Sequence, residues 1–227
     1  MYSDDVMDYL RSPKTLDLIA ENNFPAVFIN ALQSIRGELV RIFDEATIDF
    51  LPHLRMIFSQ MYKGVKGNTL DLSEYKNIKL VASSAFSDCS YETIILPESV
   101  IRMYDSAFAN CNCKYIDISK TKDSFLPFYA FAEALDLQEV RLPDSLRVIN
   151  NFCFRNCEKL KEINLPKSIE QISSDVFYKC YELAEIKYEG TVADWHKVEK
   201  YDAYDTHWDV SHIKVICTNG STYFLGD

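Results

Sequence analysis

Five phenylalanines, Phe86, Phe108, Phe131, Phe154 and Phe177, are separated by 22, 23, 23 and 23 residues. Each sits in a stretch of similar make-up: "AFSDC" at Ala85–Cys89, "AFANC" at Ala107–Cys111, "AFAEA" at Ala130–Ala134, "CFRNC" at Cys153–Cys157 and "VFYKC" at Val176–Cys180. A second landmark follows each one, as "IILP" ending at Pro97, "IDIS" at Ser119, "VRLP" at Pro143, "INLP" at Pro166 and "IKYE" at Glu189. A third, "SVIRM", "SLRVI" or "SIEQI", comes after Pro97, Pro143 and Pro166. A unit this short cannot bury its own apolar face. It must stack on identical neighbours, and the stack is a solenoid. Alternating apolar positions within each unit predict one short strand per coil.

The unit reads A-F-x-x-C-x-x-L-x-x-I-x-L-P-x-S-I-x-x-I. It resembles the BspA-like bacterial leucine-rich repeats of about 23 residues, over roughly Leu70–Glu189. The resemblance implies an α/β fold class: a leucine-rich-repeat solenoid over residues 69–190, with parallel β-strands on its concave face. It also implies that cysteine stands where other leucine-rich repeats carry asparagine. Two departures matter. Ala134 takes the cysteine position of the third copy, and "SKTKDSFLPFY" at Ser119–Tyr129 replaces the proline-serine-isoleucine turn, so a bulge is expected there.

Seven cysteines at recurring spacing suggest metal ligation or disulfides, but the period argues for packing. Cys89, Cys111, Cys157 and Cys180 recur at the repeat interval, and Ala134 shares their slot. A methyl group cannot replace a metal ligand, whereas it can replace a small buried side chain. Cys153 falls in the alanine slot of its copy. Cys113 follows Cys111 by two residues, and Cys217 lies in "IKVIC", a predicted strand. None forms a C-x-x-C pair, so no metal and no cofactor are expected.

A solenoid needs a cover at each end. Tyr188-x-Gly190-Thr191-x-x-x-Trp195 resembles the closing segment that follows BspA-like repeats, and residues 191–227 are expected to form the C-terminal cap. Thr191 is expected to cap a short helix that folds Trp195 over the last coil. "IKVICTNGSTYF" predicts a hairpin turning at Asn219–Gly220. His207 and His212, near Asp194 and Asp209, match no metal spacing and are read as surface side chains. Residues 1–68 lack the repeat and read as a small helical domain. Ser12 and Pro13 start one helix, Val27, Phe28, Leu32, Ile35, Leu39, Val40 and Phe43 form an apolar stripe, and Gly64 and Gly67 stop the last helix. This region is either a cap over the first coil or a docking module of its own.

The formal net charge is −10, which does not suit grasping phosphate backbones, so direct nucleic-acid binding is not expected. Anionic membrane surfaces would repel it. "MYSDDVMDYL" has no basic n-region, and no apolar run approaches the roughly 20 residues of a membrane span. A cytoplasmic location is therefore expected. No phosphate loop, H-E-x-x-H, G-x-S-x-G or dinucleotide fingerprint occurs, and no catalytic residue is assigned. The expected role is recognition, without catalysis. With Ile and Leu inward, the strands turn Thr93, Ile95, Tyr115, Asp117, Glu139, Arg141, Glu162, Asn164, Glu185 and Lys187 to solvent. Tyr115 and Ile95 make an apolar-aromatic end, and the irregular segment is expected to set Phe125 and Phe128 beside them. The resulting expectation is a protein-interaction module that uses this face, the helical domain or both, with a partner carrying a basic surface. A phage- or mobile-element-encoded inhibitor of a host protein fits that picture. The alternative is a structural or display component of a larger assembly, such as a virion or a cell surface.

Overall fold

The computed structural model describes residues 66–74, 80–81, 83–201 and 210–226. The helical elements expected before residue 66, and His207 and Asp209, lie outside the described residues.

Each coil contributes a strand on the main face and, on a second face, a two-residue strand. In chain order these are β1 (Lys66–Asp71) and β2 (Leu80–Val81), β3 (Ser90–Ile95) and β4 (Arg102–Met103), then β5 (Tyr115–Asp117) and β6 (Phe125–Leu126). They continue with β7 (Glu139–Arg141) and β8 (Val148–Ile149), β9 (Glu162–Leu165) and β10 (Gln171–Ile172), β11 (Glu185–Tyr188) and, after helix α1 (Val192–Trp195), β12 (Glu199–Lys200). The chain then forms β13 (Lys214–Cys217) and β14 (Gly220–Tyr223). Main-face strands order as β1-β3-β5-β7 and β9-β11-β13-β14, and every pair except β13–β14 is parallel. Second-face strands order as β2-β4 and β6-β8-β10-β12. β1 starts ahead of the boundary expected at residue 69. Gly67, read from sequence as a helix stop, lies within β1 opposite Tyr91, where an added Cβ would meet the Tyr91 ring at 2.9 Å.

Alternation drives the strands. Ile94, Leu96, Ile116, Ile118, Val140, Leu142, Ile163, Leu165 and Ile186 point inward and are buried. Behind them the repeat phenylalanines stack in one column, with ring centroids 4.9 Å apart for Phe86–Phe108, 5.3 Å for Phe108–Phe131, 5.0 Å for Phe131–Phe154 and 5.8 Å for Phe154–Phe177. Such pairs stabilise by about 0.5–1.5 kcal/mol beyond the area they bury. All seven cysteines are buried free thiols. The Cys157 and Cys180 thiols donate to the carbonyls of Phe131 (3.2 Å) and Phe154 (3.0 Å), so each thiol links its coil to the one before.

Each repeat phenylalanine is flanked, two residues before and after, by left-handed residues: Ser84 and Asp88, Ser106 and Asn110, Tyr129 and Glu133, Phe152 and Asn156, Asp175 and Lys179. None is glycine. The left-handed region costs such residues roughly 1–2 kcal/mol each. Bonds between coils hold the turns, such as Phe108 N–H to Ala130 C=O at 2.7 Å and Asn110 N–H to Ala132 C=O at 2.9 Å.

Two coils depart from the regular length: those at Cys89 and Cys111 both take a shorter step from the cysteine slot to the strand, and the second is also longer after its strand. Between the cysteine slot and the strand, later coils hold a buried leucine: Leu137, Leu160 and Leu183. The coil at Cys111 is one residue shorter there, and buried Cys113 takes the leucine's place. The same coil is one residue longer after its strand. Its turn closes early, on Thr121 N–H to Ile118 C=O at 3.0 Å. Asp123 then stands three residues before Leu126, where other coils place Val100, Leu146 and Ile169. The bulge expected at Ser119–Tyr129 is therefore an extended turn that still delivers β6 into register with β8. The cost falls on the second-face ladder, which is interrupted between β4 and β6. There the buried Asp123 carboxylate accepts Met103 N–H at 2.6 Å and Phe125 N–H at 3.1 Å in place of a carbonyl.

At the C-terminal end Thr191 caps α1, with its side chain and that of Asp194 exchanging bonds with each other's backbone N–H. Trp195 is fully buried, edge-on to Tyr188 and Phe224, and its indole N–H donates to the Phe224 carbonyl at 3.3 Å. Phe224 meets Phe177 edge-on and ends the aromatic column. The hairpin turns at Thr218–Asn219, one residue before the expected place, since Cys217 pairs with Gly220. The Asn219 side chain accepts Val192 N–H at 2.9 Å, and Thr218 N–H reaches the Gly190 carbonyl at 3.0 Å, so the turn is fixed by α1 and its approach.

Candidate functional site

The register of the main sheet aligns the outward residues in columns. Thr69, Thr93, Tyr115 and Glu139 form one, and Asp71, Ile95, Asp117 and Arg141 the next. The ladder is interrupted between β7 and β9, and in the following sheet the matching repeat positions align as Glu162, Glu185 and Lys214, and as Asn164, Lys187 and Ile216. Within each sheet the strand residues singled out from the sequence are thus in register.

On that face Thr93, Ile95, Tyr115, Ile116, Asp117, Glu139 and Arg141 line a hollow of about 280 Å³. Tyr115 stands in it 38% exposed, with its hydroxyl 3.5 Å from Gln138 Oε1. Arg141 also lines the hollow; its Nε donates to Glu139 at 2.8 Å and its Nη1 lies 3.7 Å from Asp117. Asp117 is itself fixed by the Ser119 N–H (2.9 Å) and hydroxyl (2.7 Å). Further along the face Lys187 pairs with Glu162 at 2.7 Å. The result is an aromatic and aliphatic floor beside a held guanidinium, a geometry suited to contacting a side chain. No nucleophile is paired with a base in it. Among the described residues no three His, Cys, Asp or Glu side chains converge as a metal site, and none of their helices is long and apolar enough to cross a membrane.

Phe125 and Phe128 are not beside Tyr115. Phe125 lies in β6, in the second-face sheet, where it pairs with Val148 and carries the Arg102 guanidinium 5.4 Å from its ring centre. Leu126 occupies the inward slot of Ile149 and Ile172, and that fixes which sheet its neighbour joins. Phe128 follows it, exposed, next to left-handed Tyr129. Sequence reasoning missed Thr69 and Asp71, which extend the columns by one coil. The signal was "TLDL" at Thr69–Leu72, whose alternation matches the later strands.

A model of the BspA type leucine rich repeat region matches residues 55–184 in six copies. Among solved structures, a leucine rich cell surface protein from Faecalibacterium prausnitzii superposes with a TM-score of 0.56 at 24% identity, over 60% of this chain and 36% of that one. A leucine-rich repeat protein from Bacteroides ovatus gives 0.37 at 15% identity, over 67% and 55% of the two chains. The T. pallidum leucine rich repeat protein gives 0.36 at 24% identity, over 42% and 58%. The chain thus spans less than two thirds of the length of each of these proteins. No curated protein matches it.

Proposed function

The chain belongs to the BspA type leucine-rich repeat family, and from that premise we propose that it is a non-catalytic recognition module whose main strand face binds a protein. The observation that carries this reading is the hollow around Tyr115. Aromatic anchors in partly enclosed sites dominate interfaces, because they bury a large area at little conformational cost. Ile95 and Thr93 line the same hollow, and Arg141 is held by its two carboxylates. Carboxylates Asp71, Asp117, Glu139, Glu162 and Glu185 outnumber Arg141, Lys187 and Lys214 along the columns. The partner surface that fits is an apolar side chain set among basic residues.

The test is a pair of titrations against a partner captured with the full chain. Tyr115→Ala loses at least about thirtyfold in affinity, the effect of removing a true anchor. Glu185→Ala, two strand positions beyond the hollow, changes affinity little. Equal binding by Tyr115→Ala and the parent, with both folded, would place recognition elsewhere on the chain.

A further inference from the structure

We propose that Cys89 and Cys113 are an oxidation site that closes to a disulfide between neighbouring coils in the presence of hydrogen peroxide or another small two-electron thiol oxidant. Their sulfurs lie 3.8 Å apart and share a hydrogen bond. A disulfide needs about 2.05 Å, so less than about 2 Å of approach is required. The backbones already run side by side, with Asn112 N–H on the Cys89 carbonyl at 2.8 Å and Lys114 N–H on the Glu92 carbonyl at 3.0 Å. The coil's missing residue is what creates the pair. A leucine fills this place in later coils, and there the ladder thiols of Cys157 and Cys180 turn to main-chain carbonyls.

The pair also has an order of reaction. Hydrogen bonds with Cys111 and with Cys89, together with burial, raise the Cys113 thiol, whereas at Cys89 the hydrogen bond shared with Cys113 outweighs burial and lowers the thiol below its ordinary value. The Cys89 thiolate attacks a peroxide oxygen, the O–O bond breaks, and the departing hydroxide takes up a proton as water. Cys113 then attacks the sulfenic sulfur; the S–S bond forms, the S–O bond breaks, and the second hydroxide leaves as water with the Cys113 proton. Two thiols lose two electrons and one peroxide becomes two waters. Both sulfurs are fully buried, so peroxide, close to water in size, is the class of oxidant that fits. The bond would tie the entrances of β3 and β5, and its formation does not depend on what the hollow binds.

The full chain, reduced and freed of reductant, is exposed to hydrogen peroxide under native conditions and weighed intact. The expected product has lost two hydrogens, yields one Cys89–Cys113 cross-linked peptide on digestion, and reverts with dithiothreitol. Cys89→Ala, which installs the residue already tolerated at Ala134, abolishes the loss; Cys157→Ala keeps it. Oxygen addition without loss of hydrogens, a cross-link between any other pair, or a disulfide that survives Cys89→Ala overturns the proposal. The peptide map of the unaltered chain decides the matter even if a variant fails to fold.

Discussion

The coils of β7–β10 and those of β3–β6 are built from the same unit and reach the same shape by different means. In the first pair, leucines fill the slot before each strand, Leu146 and Ile169 fill the turn, and the second-face ladder runs unbroken. In the second, a cysteine stands in for leucine and a carboxylate for an aliphatic side chain and a carbonyl. The Phe column passes through both without a change in spacing beyond 4.9 to 5.8 Å. A solenoid therefore tolerates a lost or gained residue when local chemistry answers the group left exposed. The edits also fall next to the Tyr115 hollow, where a strictly regular coil would present only a repeated surface.

The strongest way to break this comparison is to empty the column in each region. Phe154→Ala and Phe108→Ala should each cost about 3–5 kcal/mol, the range for truncating a buried aromatic. Chemical denaturation would measure both; a much smaller cost for Phe108→Ala would mean that the edited coils pack loosely. Asp123→Ala comes next. It leaves Met103 N–H and Phe125 N–H without their acceptor, and a cost of about 2 kcal/mol is expected, within the range for buried unmet donors.

A subtler measurement uses the charge on Asp123. Burial raises its carboxyl above the ordinary value, against the opposing pull of its hydrogen bonds and of Arg102 at 3.9 Å. A raised carboxyl costs stability when ionised; the cost is full at neutral pH, is relieved as pH falls through the raised value, and is gone below the ordinary range. Asp123→Asn cannot titrate. The melting-temperature difference between the parent and Asp123→Asn should therefore move in the parent's favour as pH falls from about 7 to about 4. A flat difference would mean that the carboxyl is not raised. The smallest effect belongs to the outward column of the regular region, where Asn164→Ala should change stability by no more than about 0.5 kcal/mol.

Much of this architecture can be read from the residues. The Phe interval gives the stack, inward Ile and Leu give the strands, and Thr191 and Trp195 give the cap. The edits are hidden for a specific reason. Between Phe108 and Phe131 one residue is lost and one gained, so the interval returns to 23. Only the shorter step from Cys111 to Tyr115, against that from Cys157 to Glu162, betrays the first change. The sequence places Phe125 beside Tyr115 because its segment lacks the proline-serine-isoleucine turn, whereas the apolar demand of Leu126 draws it into register with β8. The hairpin shifted because Asn219 has a better use for its side chain, on Val192 N–H, than Asn-Gly turn preference alone reveals. The sequence sets the start of the solenoid at residue 69 because Lys66, Gly67 and Asn68 carry no apolar signal, whereas Lys66 and Gly67 join β1 by pairing with Ser90 and Tyr91 of β3.

The antiparallel hairpin of β13 and β14 also bears on how such an array grows. Every main-face strand through β13 runs the same way, so a copied coil inserted anywhere before it meets matching neighbours on both sides and extends the stack. β14 reverses that direction. A coil appended after it would face a strand of opposite sense and an aromatic column already closed edge-on by Phe224. Lengthening by duplication is thus confined to the interior, and the hairpin behaves as punctuation that each new copy must leave downstream of itself.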